Sequence, residues 1–149
     1  MNNYAVLGNS EIKVDAMEKI LGTAKFAADY SMPGMLYGGV FRSTVPHAIV
    51  KKLNLDKARA MPGVHCVIDH TAIPGGNRFG IIVKDEPCLV DDKVRRYGDA
   101  IALVAAETKE QVLDAIEAIE VEYEELEPVF TIERAAEEDS PKVHGSTNV

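Results

Sequence analysis

The stretch AIALVAAETKEQVLDAIEAIEVEYEEL, residues 100–126, decides the fold because its hydrophobic periodicity changes twice. Residues 100–106 form a continuous apolar run, which predicts a strand buried on both faces. Apolar residues at 112, 115, 116 and 119 then follow at helical spacing, and from residue 119 they alternate with glutamates. The stretch therefore predicts a strand, an amphipathic helix and a second strand with one wet face.

The start of this helix also has a signature of its own. Thr108 and Gln111 have the spacing of a capping box, in which each side chain satisfies the backbone N–H of the other residue. A strand, a helix and a strand at this spacing predict a βαβ unit with a right-handed crossover.

The chain upstream predicts a second, smaller unit of the same kind. It reads as a strand up to residue 55, a short helix over 57–61 capped by Asp56 and ended by Pro62-Gly63, and a buried strand over 64–68. This connection is short for a parallel crossover. The predicted fold class is α/β of mixed α+β character, with βαβ units and a mixed sheet.

Two further elements are expected towards the N-terminus. Residues 35–41 predict a strand in which Gly38-Gly39 marks a bulge or a close backbone approach. Residues 15–21 predict a short helix that ends at Gly22. We accordingly predict a lead-in over 1–14, one domain over 15–130 and a C-terminal segment over 131–149.

The composition excludes several function classes. The 149 residues carry a formal net charge of −8, and an acidic surface disfavours nucleic acid as a partner. The apolar runs are too short to cross a bilayer, and residues 1–4 do not read as a signal peptide. Cys66 and Cys88 predict two free thiols in a reducing cytoplasm.

The residue types that often act in catalysis or bind metals and phosphates do not occur here in the spacing of a known site motif. Residues 75–80 lack the spacing of a phosphate loop and predict a surface loop. His65 and Cys66 point to opposite faces of a strand, so they do not share one metal ion. The acidic pairs read as solvated, and Ser43 lies outside a nucleophile elbow. From the residues alone we assign no catalytic, cofactor-binding or metal-binding position.

Read as one string, the chain carries a family resemblance. Its segments are Asp15, 19–24, Asp29, 35–36, 41–43, 46–50, 60–64, 73–77, 86–89, 94–99, 121–129, Pro141, His144 and Asn148. In order and with matching gaps, they resemble the α/β hammerhead domain that opens the large, molybdenum-binding subunit of xanthine dehydrogenases and aldehyde oxidases. Large subunits of carbon monoxide dehydrogenases belong to the same group.

The resemblance implies an oxidoreductase that hydroxylates a purine, an N-heterocycle or an aldehyde with oxygen taken from water. A molybdenum–pterin centre does this chemistry, and iron–sulfur clusters and often FAD carry the electrons on other domains or subunits. The pterin-binding residues belong to domains that follow the hammerhead, so none is carried over to this chain. Residues 131–149 would then begin the linker to those domains, and the chain would be an excised domain or a fragment.

Under this interpretation the chain is a structural and docking domain. Its expected partners are the molybdopterin-binding domains of the same or a partner chain, together with iron–sulfur and flavin domains or subunits. The candidate interdomain contact comprises Gly38, Gly39, Arg42, Ser43 and His47. An ordinary strand and turn with a solvated arginine explains the same residues. Two other functions stay open: a free-standing module that binds a small ligand or protein near the 73–80 loop, and a hydrolase that uses an acidic pair.

Overall fold

The computed structural model describes residues 6–8, 10–145 and 148, which fall into two compact units, 1–35 and 36–149. The first unit contains helix α1 (Ala16–Ile20) and a 3-10 turn at Ala27–Asp29. Helix α1 gives way to Gly22, whose φ of +70° suits a residue without a side chain. The helix predicted there is confirmed. None of the described residues of this unit is buried.

The described residues of the second unit form two small sheets, a hairpin, three α-helices and a 3-10 turn at His70–Ala72. In chain order its elements are β1 (Tyr37–Arg42), β2 (Ala48–Asn54), α2 (Asp56–Arg59), β3 (Val64–Ile68), β4 (Arg78–Phe79), β5 (Glu86–Pro87), β6 (Lys93–Val94), β7 (Ala100–Ala106), α3 (Lys109–Glu117), β8 (Glu120–Glu125) and α4 (Ile132–Ala136). The first sheet has the order β1-β7-β3, the second has the order β6-β2-β8, and β4 pairs with β5. All of these pairings are antiparallel.

The predicted βαβ units and mixed sheet are therefore wrong, although the order of strand, helix and strand is confirmed. Strands β7 and β8 lie in different sheets because both edges of β7 already pair, with β1 and with β3. The connection from β2 to β3 also runs between the two sheets, since residues 55–63 are too few for a parallel crossover. Each strand–helix–strand unit thus links the sheets instead of extending one of them.

The capping box of α3 is confirmed. The Thr108 hydroxyl accepts from the Gln111 backbone N–H over 3.2 Å, and the Gln111 side chain accepts from the Thr108 N–H over 3.0 Å. Gly63 packs beside this cap and leaves no space for a side chain, because an added Cβ would overlap the Gln111 amide. The predicted turn at Pro62-Gly63 is therefore also a contact for the start of the helix.

The predicted apolar stripe of α3 packs on the inner face of the first sheet. Val112 and Ala115 are buried: Ala115 belongs to a core with Ala102 and Val104 of β7, and Val112 lies over Gly39 of β1. A second apolar cluster, between the sheets, is formed by Ala48, Val90, Val94 and Ile101. Burial of these side chains supplies the main driving force for folding of this unit.

Two local predictions upstream need correction. Asp56 does not cap α2; the Asn54 side chain accepts from the Asp56 N–H over 3.0 Å, because Asp56 is already helical. Strand β3 is not fully buried, since it forms an edge of the first sheet and exposes His65 and Cys66.

The remaining loops and the C-terminal segment have local supports. Residues 75–77 precede strand β4 as the predicted loop, with a positive φ at Gly75, but residues 78–79 are strand β4 itself, so the loop is shorter than predicted. Thr131 caps α4, which lies within the predicted C-terminal segment. The boundary near residue 130 stays a prediction. In the described ranges, the helices lack the length and apolar character that a membrane crossing requires.

Candidate docking surface

The two faces of the central strand β7 have different surroundings. On the inner face, Ala102, Val104 and Ala106 are almost fully buried. On the opposite, outer face, Ile101 is buried as a member of the second cluster, whereas Leu103 is 37% exposed. The predicted burial of this run on both faces is therefore only partly correct. The inner face is buried, whereas the outer face is uncovered from Leu103 onwards.

The uncovered part extends across all three strands of the first sheet. The backbone register places Leu103 between its partners on β1 and β3, and Ala105 between the next pair. Side chains in such cross-strand rows lie next to one another on one face. We call this surface the open face: Val40, Leu103 and Ile68 in one row, and Gly38, Ala105 and Cys66 in the other.

The open face has the shape and chemistry of a contact surface. Together with the adjoining backbone it lines an open concavity of about 330 Å³. The row of small residues forms the floor, because Gly38 and Ala105 fill little space above the sheet. Cys66 supplies the one ionisable side chain among the lining residues. Such a surface supports apolar packing and offers no acid–base pair for catalysis.

The predicted contact residues Gly38 and Gly39 separate onto opposite faces of β1. Gly38 belongs to the open face, where an added Cβ would meet only the Val104 carbonyl oxygen, at 4.0 Å. Gly39 lies under α3, where an added Cβ would overlap Val112 and approach Ile116 Cδ1 to 2.9 Å. The predicted close backbone approach is therefore confirmed at Gly39, and the approaching element is a helix of the same unit.

Arg42 lies at the end of β1, next to an irregularity of register. Its guanidinium donates from Nη1 to the Gly98 carbonyl oxygen over 2.8 Å. This bond joins β1 to the turn at residues 97–99, which feeds the central strand. The side chain is exposed, so its remaining donors face solvent.

Ser43 and His47 are buried, with 2% and 3% of their surfaces exposed. The Ser43 hydroxyl donates to the Val45 carbonyl over 2.6 Å and accepts from the Val45 N–H over 3.1 Å. His47 Nδ1 donates to the Glu127 carbonyl oxygen over 2.7 Å. Ser43 thus stabilises the turn after β1, and His47 holds the chain just after the end of β8. Of the five predicted contact residues, Gly38 alone lies on the open face.

The sequence prediction missed Val40, Leu103, Ile68, Ala105 and Cys66. A signal for them was present in the apolar run of β7, because such a run requires cover on both faces. Strand β3 gave no comparable signal, since its edge position follows from pairing with a strand that lies far along the sequence.

The outer face of the second sheet has the opposite character. It carries lysines of β2 and α2 opposite glutamates of β8, in the pairs Lys51–Glu124, Lys52–Glu122 and Lys57–Glu120. We call this surface the charged face. The hydrogen-bonded Lys57 ammonium lowers the pKa of Glu120 below its ordinary value of 4.5. The alternation predicted for β8, with one apolar and one wet face, is confirmed.

The described residues do not fit a metal centre. In residues 6–8, 10–145 and 148, no three His, Cys, Asp or Glu side chains come together in a group that would hold a metal ion. Cys66 and Cys88 are exposed and are not joined to each other. We therefore derive no reaction step from this chain through molybdenum or an iron–sulfur cluster.

A family model described as the α/β hammerhead domain of aldehyde oxidase and xanthine dehydrogenase matches residues 21–127. The chain belongs to this hammerhead family. The resemblance seen in the sequence, and the α/β class with mixed helices and sheets, are thereby confirmed. The hammerhead domain is 68% identical over 147 residues to the nicotinate dehydrogenase large molybdopterin subunit of Eubacterium barkeri, covering 99% of this chain and 35% of that protein.

Two further relatives show the extent of the match. A probable xanthine dehydrogenase subunit of Bacillus subtilis is 45% identical over 140 residues, covering 94% of the hammerhead chain and 19% of the relative. The structure of aldehyde oxidoreductase from Desulfovibrio gigas superposes with a TM-score of 0.85 at 35% identity, covering 91% of this chain and 16% of that one. The hammerhead chain thus spans about a third or less of the length of these relatives.

Proposed function

We propose that this hammerhead domain docks through its open face onto the molybdopterin-binding part of the large subunit of a molybdenum hydroxylase. The observation that carries the proposal is the uncovered half of β7. Leu103 is exposed there, in a strand that consists entirely of apolar residues. Contiguous apolar surface of this kind is typical of a site that another protein surface covers. Docking would remove Leu103 and its neighbours from water without requiring a polar partner.

The enzyme that carries the domain is proposed to hydroxylate a carbon of its substrate with oxygen from water. The similarity to a nicotinate dehydrogenase subunit favours an N-heterocycle over a purine or an aldehyde. Molybdopterin would lie in the part of the enzyme outside this domain, and iron–sulfur and flavin domains or subunits would accept the electrons. The domain's own contribution is to pack against the cofactor-binding part.

We also propose that the enzyme works in the cytoplasm. Cys66 and Cys88 are both exposed as free thiols, and such thiols persist in a reducing compartment. Cys66 lies on the open face, so its reactivity reports whether that face is covered.

Thiol labelling tests the docking proposal. The rate at which a maleimide modifies Cys66 is compared in the 149-residue chain and in the complete large subunit. We expect a rate about tenfold or more lower in the large subunit, because a buried thiol is inert. The matched control is Glu122→Cys on the charged face, which should react equally fast in both proteins. Equal labelling of Cys66 in both proteins would refute docking through the open face.

A further inference from the structure

The hairpin of β4 and β5 is held firmly at its base. The Asn77 side chain donates from Nδ2 to the Leu89 carbonyl oxygen over 2.7 Å and accepts from the Leu89 N–H over 3.1 Å. The Asn77 carbonyl oxygen also accepts from the Cys88 N–H over 3.0 Å. Because Leu89 is 3% exposed, these bonds tie the hairpin to the core of the unit.

Ion pairs on both strands of the hairpin reinforce this base. Arg78 Nη2 lies 2.7 Å from an Asp91 carboxylate oxygen, and both side chains are partly buried. On the other strand Glu86 pairs with Arg96, which also contacts Asp99 over 3.0 Å. The partial burial of Arg78 and Asp91 strengthens their pair relative to a fully exposed one. The base of the hairpin is therefore fixed from two sides.

The tip of the hairpin is apolar and projects into solvent. Ile81, Ile82 and Val83 are 104%, 94% and 65% exposed, and Phe79 beside them is 50% exposed. Gly80 has a φ of +152°, and its Cα packs so closely on the Val83 carbonyl that a Cβ would overlap it. The tight turn pushes the three aliphatic side chains outward. We call residues 79–83 the apolar tip.

A lipid bilayer does not suit the apolar tip. The chain carries a net charge of −8, and acidic proteins are repelled by the anionic headgroups of cytoplasmic membranes. Helices and loops that lie in a membrane interface usually combine apolar side chains with several basic ones. Of the residues next to the tip, Lys84 is basic, but Asp85 and Glu86 follow it directly.

A second copy of the chain does not suit it either. Each partner in a stable pair contributes roughly 800 Å² of surface, and three aliphatic side chains with one aromatic ring fall well short of that area. A projecting tip is buried efficiently only in a preformed pocket of a larger partner. The relatives extend far beyond the matched region, which is 16–35% of their length, so such a partner is available within one enzyme.

We propose that the apolar tip is a docking anchor that inserts into an apolar pocket on the molybdopterin-binding part of the same large subunit. This inference rests on the proposed function and adds a second contact, separate from the open face. Anchors that dominate the binding energy are commonly apolar side chains on a rigid support that enter a pocket. The fixed base lets the tip enter with little loss of conformational freedom on docking.

The test uses Ile82→Cys in the complete large subunit and in the 149-residue chain. We expect maleimide to modify the introduced thiol about tenfold or more slowly in the large subunit, and rapidly in the isolated chain. A second variant, Ile82→Glu, should lower the melting temperature of the large subunit and leave that of the isolated chain unchanged. Leu113→Glu, at a 62% exposed position on α3, is the matched control and should change neither.

The outcomes separate the two proposals. If Cys66 is protected in the large subunit while the thiol from Ile82→Cys reacts freely, the anchor is refuted and docking through the open face stands. If both thiols react freely, both proposals fail. Protection of the introduced thiol in the isolated chain at high protein concentration would show self-association and overturn the anchor. Protection on vesicles of phosphatidylcholine and phosphatidylglycerol would assign the tip to a bilayer and overturn it as well.

Discussion

The two sheets of the second unit turn very different outer faces to solvent. The first sheet presents the open face, with apolar and small side chains in two cross-strand rows. The second sheet presents the charged face, where three lysines meet three glutamates. A charged face is stable in water because its groups stay hydrated, whereas an apolar face gains free energy when it is covered. This difference is the physical reason for proposing the open face, and not the charged face, as the docking surface.

The largest effect is expected from placing a charge on the buried face of β7, and the comparison is with a charge on its open face. Val104→Glu buries a carboxylate in the core and should destabilise the chain by about 4 kcal/mol or more. Leu103→Glu, one residue earlier, should cost only about 1–2 kcal/mol, because its side chain is already partly in water. Urea unfolding of both variants measures the difference. Equal destabilisation would mean that the open face is covered within this chain, and the contrast between the faces would fail.

A smaller effect is expected from the adjacent glycines of β1. Gly39→Ala forces a methyl group against Val112, a branched side chain with little freedom to move, and should cost about 1–3 kcal/mol. Gly38→Ala adds the same methyl group on the open face and should stay within about 0.5 kcal/mol of the wild type. Thermal unfolding of the two variants compares the covered and the open side of one strand. A larger loss for Gly38→Ala would reverse the assignment of the faces.

The smallest effect is expected on the charged face and depends on pH. Because Lys57 lowers the pKa of Glu120, the Glu120 carboxylate binds a proton less readily in the folded state than in the unfolded state. The pair therefore stabilises the domain above about pH 4.5, and this contribution is lost as the pH falls through the lowered pKa. Glu120→Gln should reduce stability slightly at pH 7, and this difference should shrink as the pH falls below 4.5, as measured by urea unfolding.

The control for this prediction is Glu125→Gln on the same strand. In the described part of the chain, Glu125 forms no ion pair with a lysine or arginine side chain. Glu125→Gln should change the stability at pH 7 less than Glu120→Gln does, because no such pair is lost. Added salt at molar concentration should also shrink the effect of Glu120→Gln, because exposed charges are screened. A difference that does not shrink as the pH falls below 4.5 would point to a loss of packing and not of charge.

The candidate site was predictable from the sequence only in part. Gly38 was singled out for lacking a side chain in a strand, and it lies on the open face. Ser43 and His47 were also predicted at the contact, yet both side chains are buried and form hydrogen bonds within the same unit. Arg42 binds a backbone carbonyl of the same unit. Residue type alone does not tell whether a polar group is bonded internally, because the partner can lie 80 residues away, as Glu127 does from His47.

The sequence by itself determined the local elements of this protein: the capping box of α3, its apolar stripe, and the alternation along β8. These depend on contacts between residues that are three or four positions apart, or on a period of two, so they can be read from a short window. Only the tertiary structure decided how the strands pair and which face of the first sheet stays open. Both depend on residues that pair although they lie far apart in the sequence, such as Gly38 and Ala105. A short window of sequence does not show that β7 pairs with β1 on one edge and with β3 on the other.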